Sequence, residues 1–205
     1  MIKYPKLREL KEAVRALISG PYTTKYPHQP HKPFERFRGR PKYDVDNCMG
    51  CTACYQVCPA RAIEFEDKIE NKSARRVLTV HWDTCVFCGQ CQANCPTAKG
   101  IVLSNDFDFA TTESRQELKQ AIEKELLLCE CCGEIIAPRD QVLWVAKKIG
   151  PLLFSNASLM LYYLRNLGFS LTPENIRKQE SGEAFRADRV KILCPRCRRE
   201  AVIKS

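Results

Sequence analysis

Apolar residues recur every three or four positions at the start of the chain. Leu7, Leu10, Val14, Leu17 and Ile18 fall on one helical face, with Lys6, Arg8, Lys11 and Arg15 off it. The pattern predicts an amphipathic helix within residues 1–20, stopped by Gly20 and Pro21. Periodicity then lapses. Residues 21–43 hold Pro21, Pro27, Pro30, Pro33 and Pro41 among Tyr, His, Lys and Arg, and read as an extended arm without a core. His28 and His31 in this arm read as surface residues. Alternation returns over 62–66 and 76–82, predicting a hairpin around a charged, exposed linker at 67–75. Residues 100–103 and 107–110 read as a second pair of short strands. Beyond 110 the spacing is helical. Ser114 with Glu117 forms a capping box that opens a helix through Leu128. Residues 139–149 and 155–167 follow as helices, the latter ended by Gly168, and Thr172–Pro173 opens a short fourth. Leu159, Tyr162, Tyr163 and Leu167 read as its core stripe. The expectation is an α+β chain in three parts: 1–44, 45–110 and 111–205.

Charge sharpens this division. Residues 1–43 carry eleven Lys or Arg against three Glu, so they supply +8 of the chain's formal +9. A basic arm joined to a nearly neutral remainder suggests an arm that docks on something else. The first helix can pack on its own domain, on a membrane surface or on a partner subunit. No run approaches 18 uninterrupted apolar residues, so no spanning segment is expected. The thirteen cysteines follow no apolar leader, which suggests metal ligation in a reducing compartment.

Eight of those cysteines form two copies of C-x2-C-x2-C-x3-C-P: Cys48, Cys51, Cys54, Cys58, Pro59, and Cys85, Cys88, Cys91, Cys95, Pro96. In this bacterial-ferredoxin run the fourth cysteine serves the other cluster. Cys48, Cys51, Cys54 and Cys95 are therefore expected on one [4Fe-4S] cluster, and Cys58, Cys85, Cys88 and Cys91 on a second. Each proline lacks an N–H and turns the chain away from the cluster. Small or apolar residues between the ligands let backbone N–H groups reach sulfur and keep water out, which tunes potential. Residues 45–110 are thus expected to form a 2[4Fe-4S] ferredoxin-like domain for single-electron transfer.

Four more cysteines flank the helical region: Cys129 and Cys132 in C-E-C-C-G, then Cys194 and Cys197 in C-P-R-C. Two such knuckles make a tetrahedral S4 site, shared by zinc ribbons and rubredoxin-type iron. The metal, Zn2+ or Fe, would close a helical subdomain over 111–205. Cys131 is the spare thiol and an alternative ligand. No phosphate loop, catalytic triad or Cys–His pair is evident, so no catalytic residue is assigned. The basic arm permits nucleic-acid binding, but no recognition helix accompanies it, and nucleic acid is not expected as a partner.

With these motifs in hand, the chain resembles the ferredoxin-type subunit I of respiratory complex I and its relatives in membrane-bound nickel–iron hydrogenases. The resemblance rests on Tyr26–Pro27, on Arg36-Phe37-Arg38-Gly39-Arg40, on Cys85-Val86-Phe87-Cys88-Gly89, and on Ile101 through Phe107. It covers roughly residues 1–110. The tail with its cysteine knuckles is similar to the iron–sulfur subunit of formate hydrogenlyase and hydrogenase-4, with a shorter first knuckle here. The resemblance implies a peripheral electron-relay subunit on the cytoplasmic side of the cell membrane. Its implied partners are hydrogenase large and small subunits, a membrane arm and an electron-input subunit, with membrane contact indirect or through residues 1–20. The corresponding subunit of a quinone-reducing complex is the alternative.

Overall fold

The computed structural model describes residues 6–70, 73–112, 114–169 and 191–203. The chain forms two compact units, Met1–Glu35 and Arg36–Ser205. In the first unit, α1 spans Leu7–Ser19. The Lys6 N–H donates to Glu9 Oε2 at 3.0 Å, satisfying one terminal donor. Gly20, at φ +71°, ends the helix. The expected apolar stripe is present and bare: Leu7, Leu10, Val14, Leu17 and Ile18 are all exposed. Among the described residues no helix is long and apolar enough to cross a membrane.

The second unit is built on two antiparallel sheets. β1 (Pro41–Tyr43) pairs with β4 (Ile101–Leu103), so the end of the proline-rich arm is a strand. The larger sheet has the order β2-β3-β5-β6, from Ile63–Glu70, Ser73–His81, Lys119–Leu128 and Ile135–Pro138. The expected hairpin is present and longer than predicted. The supposed linker is strand, and Asp67 is tucked in against the Arg76 guanidinium at 2.7 and 2.8 Å. Two short helices, α2 (Ala53–Gln56) and α3 (Gln90–Ala93), lie within the cysteine runs and carry Cys54 and Cys91. After β6 come α4 (Arg139–Ile149), a 3-10 segment, α5 (Ala157–Asn166) and α6 (Pro195–Ile203).

The structure corrects the sequence reading at three further places. Residues 114–128 are not a helix. Ser114 caps a single 3-10 turn, Arg115–Glu117, and the chain then becomes β5. Ala, Glu, Lys and Leu favour a helix there, but the pairing with β3 overrides that preference. Period-2 burial is visible once the strand is known: Ile122, Lys124 and Leu126 face inward while Ala121, Glu123 and Glu125 face out. The tail is therefore mixed in structure, and its first strand lies in the same sheet as the β2–β3 hairpin. Residues 107–110 form no strand; β4 finds its partner in β1 instead. In α5 the buried face is Ser158 and Leu161 with half-buried Tyr162, while Leu167 is exposed. The helix expected at Thr172–Pro173 lies outside the described residues.

One core joins the sheets to the cysteine loops. Tyr43, Ile63, Leu78, Val80, Trp82, Ile101 and Ile122 pack with Cys54 and Cys91, and Cys48, Cys58 and Cys95 lie against them. The Trp82 indole N–H donates to the Pro41 carbonyl at 2.8 Å, so this large ring is buried without an orphan donor. The β5 register places exposed Ala121 opposite Thr79. Ala121→Thr creates a cross-strand Thr pair and is expected to raise the thermal midpoint, by about 0.2–1 kcal/mol of stability. In a helix the same change lowers it, so a thermal melt of the two chains checks the strand.

Candidate metal centres

The two cysteine runs fold by one rule applied twice. In each, the residues 2, 4 and 13 positions after the first cysteine adopt positive φ: Gly50, Thr52 and Arg61 in one half, Phe87, Gly89 and Ala98 in the other. The short helices α2 and α3 begin at the same offset in each half. Glycine occupies a different one of these left-handed positions in each half. Thr52, Arg61, Phe87 and Ala98 accept the conformation at roughly 1–2 kcal/mol each. Four strained residues at matched positions indicate that the loop shape is imposed by what the loops enclose.

Each loop encloses a cavity. One is lined by Cys48, Cys51, Cys54 and Cys95 with Tyr43 and Ile101. The other is lined by Cys58, Cys85, Cys88 and Cys91 with Ile63 and Leu103. The fourth cysteine of each run therefore lines the cavity of the other run. Cys54 and Cys91 share one core cluster, so the two cavities adjoin the same packed interior.

Hydrogen bonds converge on the sulfurs. Phe87 N–H lies 3.4 Å from Cys85 Sγ, and Ala62 N–H lies 3.2 Å from Cys58 Sγ. The Thr97 hydroxyl is 3.3 Å from Cys95 Sγ, and the Tyr43 hydroxyl is 3.7 Å from Cys54 Sγ. Burial pushes the Cys54 and Cys91 thiols up to about 11. Such groups become thiolates at neutral pH only with a strongly cationic partner. The donor set, the strained loops and the crossed lining all fit an iron–sulfur cubane in each cavity.

The segments around the runs are keyed together by backbone. Gly39 N–H donates to Ser104 O at 2.9 Å, and Ser104 N–H donates to Arg40 O at 3.0 Å. A Cβ on Gly39 would stand 2.3 Å from the Asp106 carbonyl oxygen, closer than any side chain fits. Arg40 pairs with Asp106 at 3.0 Å, Phe37 meets Phe107 edge-on, and the Arg38 guanidinium donates to the Cys88 carbonyl at 3.1 Å.

The third group of cysteines is tighter. The sulfurs of Cys129, Cys132, Cys194 and Cys197 all lie within 4.8 Å of one another. Cys132 and Cys194 are 3.8 Å apart. A tetrahedron with metal–sulfur bonds of about 2.3 Å has edges of about 3.8 Å, so this quartet is the size of a one-metal S4 site. Cys129 directly follows β5, Cys194 directly precedes α6, and Cys197 lies in its first turn. Burial raises the Cys129 thiol, but backbone N–H groups of Cys132, Cys194 and Cys131 outweigh it and hold the thiol at about 6. One of these bonds, Cys194 N–H to Cys129 Sγ, measures 3.2 Å. The knuckles are braced from outside. Glu130 accepts from Ile192 N–H at 2.7 Å and pairs with Arg165, and the Ser158 hydroxyl bonds both the N–H and the carbonyl of Leu193. Cys131 is exposed.

Comparison with known proteins agrees with this architecture. Residues 47–99 match the family model described as a 4Fe-4S dicluster domain. NADH-quinone oxidoreductase subunit I 2 of Geobacter metallireducens is 31% identical over 113 residues, covering 52% of this chain and 85% of that relative. The chain belongs to the NADH-quinone oxidoreductase subunit I family. NAD(P)H-quinone oxidoreductase subunit I of Gloeobacter violaceus is 35% identical over 81 residues, which cover 38% of this chain and 39% of that relative. The match thus spans about two-fifths of the latter's length. A solved structure, the membrane-bound sulfane sulfur reductase described as an archaeal respiratory membrane complex, aligns at a TM-score of 0.41 with 30% identity. That alignment covers 58% of this chain and 62% of the solved one.

All twelve cysteines singled out in this subunit I sequence thus sit in three groups of four. Their surroundings were harder to read. Tyr43 and Thr97 carry a signal only in hindsight, one five residues before a run and the other directly after its proline. Glu130 and Ser158 had none, because their bonds cross more than thirty positions. Gly39 yields a test of the keyed packing. Gly39→Ala is expected to push residues 36–40 off Ser104–Asp106, costing upwards of about 1–3 kcal/mol, visible as faster proteolysis at the arm. Unchanged proteolysis contradicts the contact.

Proposed function

We propose that this subunit I chain relays single electrons through two [4Fe-4S] clusters within a membrane-bound complex related to complex I. The observation that carries the reading is the crossed lining of the two cavities, four cysteines each, around one shared core. Cys48, Cys51, Cys54 and Cys95 would hold one cluster, and Cys58, Cys85, Cys88 and Cys91 the other. When bound, each cluster supplies a one-electron couple tuned by its surroundings. The chain supplies the rest. Its N–H and hydroxyl donors stabilise charge on the sulfurs. Tyr43, Leu78, Ile101 and Leu103 keep water from the cavities, and the shared core fixes the spacing between them. In this reading residues 1–44 are a docking arm, 45–110 carry the clusters, and 111–205 form an extension closed by Zn2+ or Fe at Cys129, Cys132, Cys194 and Cys197. The chain has no catalytic residue of its own and lies on the cytoplasmic face of the membrane.

The complex we favour is a [NiFe] hydrogenase of the formate-hydrogenlyase type, because the C-terminal knuckles are the feature that sets this tail apart. A quinone-reducing complex is the second reading, favoured by the names of the relatives. Anaerobic purification with native partners, mass spectrometry of the subunits and metal counting test both. Nickel with hydrogenase subunits supports the first. Flavin-bearing and quinone-site subunits without nickel move the chain to the second. Purification without any such complex overturns both.

Two sets of cysteine changes check the ligand sets. Cys54→Ser and Cys91→Ser are each expected to abolish one of two cluster signals in electron paramagnetic resonance and to cut electron relay in the complex at least tenfold. Cys132→Ser is expected to lose the single zinc or iron of the S4 site, whereas Cys131→Ser keeps it. Elemental analysis of the two chains, each still carrying about eight cluster irons, reads the difference.

A further inference from the structure

The inner face of the sheet carries two cations where apolar residues belong. Arg76 on β3 and Lys124 on β5 are register partners in the antiparallel ladder. Their side chains are 13% and 9% exposed. Like charges placed directly opposite destabilise a sheet, and burial adds to the cost. Both are aimed at one target, the first cysteine loop. Lys124 Nζ donates to the Val45 carbonyl at 2.6 Å, and Arg76 donates to the Gly50 carbonyl at 3.1 Å. Gly50 rests on the lysine stem: a Cβ there would meet Lys124 Cβ at 3.1 Å. The same glycine sends its N–H toward Cys48. Each cation also has a carboxylate. Arg76 is neutralised by Asp67, bonded at 2.7 and 2.8 Å. Lys124 pairs at 2.8 Å with Asp140, which is 52% exposed and screened by water. The buried ammonium of Lys124 is thus the less compensated of the two charges on the loop. Among the described residues the second cysteine loop has no such buried pair. Arg38, which donates to the Cys88 carbonyl there, is exposed.

We infer that Lys124 is a positioning charge that raises the reduction potential of the cluster held by Cys48, Cys51, Cys54 and Cys95 above what its cysteines alone would set. The inference rests on the electron-relay reading and deepens it. On accepting one electron, a cubane with four thiolates goes from about −2 to −3. A fixed positive charge across a low-dielectric wall stabilises the reduced form more, so the couple moves upward. Because Lys124 comes from β5, the tail is what makes the two cluster sites electrically unequal.

The test is an anaerobic redox titration of the full, iron-loaded chain, followed by electron paramagnetic resonance. Lys124→Met is expected to lower the midpoint of one of the two one-electron steps. The reduced-to-oxidised ratio at fixed potential falls threefold to tenfold, tenfold being 59 mV. Asp140→Asn, which removes the partner's negative charge, is expected to move the same step the opposite way. Lys124→Arg keeps the charge and leaves that step within twofold of the unmodified chain. The inference is overturned if both steps shift together, if neither shifts, or if Lys124→Met and Asp140→Asn shift a step in the same direction. Should Lys124→Met lose iron, Asp140→Asn decides alone, and an unmoved step overturns the inference. Failure of the underlying reading looks different: the unmodified chain would then lack two cluster signals altogether.

Discussion

The antiparallel pairing of β3 with β5 is the contact on which the molecule turns. β3 is the returning strand of the hairpin between the two cysteine runs, and β5 is the strand that leads to Cys129. Seven register pairs, from Arg75 with Glu125 to His81 with Lys119, bind one to the other. Without them the ferredoxin-like loops would lose Ile122 from their core. The distal quartet would also lose the strand that presents its first sulfur. The pairing makes the cluster region and the tail one hydrogen-bonded sheet.

Two kinds of metal environment hang from that sheet, and their geometries differ for a chemical reason. The paired cavities are lined by cysteines spread around a void, as a multi-iron cage requires. The quartet at Cys129, Cys132, Cys194 and Cys197 has sulfurs at single-ion spacing. Membership of the subunit I family accounts for the cavities, since the matched dicluster domain ends at residue 99. The quartet lies wholly beyond that match.

What could be read from the sequence followed the range of the interaction. Ligand spacing is local, so the crossed grouping of Cys58 and Cys95 was legible from one run and its repeat. The helices at Arg139–Ile149 and Ala157–Asn166 were legible because caps and stops lie within the element itself. β5 was not. Lys119-Gln120-Ala121-Ile122-Glu123-Lys124-Glu125 is good helix sequence, and only a partner 38 to 50 positions upstream makes it a strand. Lys124 was hidden by the same error, since a lysine on a presumed solvated helix attracts no notice. Leu167 was placed in the core because helical spacing fixes which residues share a face without saying which face is covered.

The order in which the chain leaves the ribosome gives the fold a timetable. The last proposed cubane ligand, Cys95, emerges well before β5, and Cys194 follows it by 99 residues. At a synthesis rate of about 5–20 residues per second, that gap is roughly 5–20 s. β5 itself begins 24 residues after Cys95, so the cysteine loops stand complete but uncapped for roughly 1–5 s of that gap. Arrival of β5 then covers the first loop, and closure of the terminal quartet secures the end of the strand. The tail thus acts as a late latch, fastened after all eight cysteines of the two loops are in place.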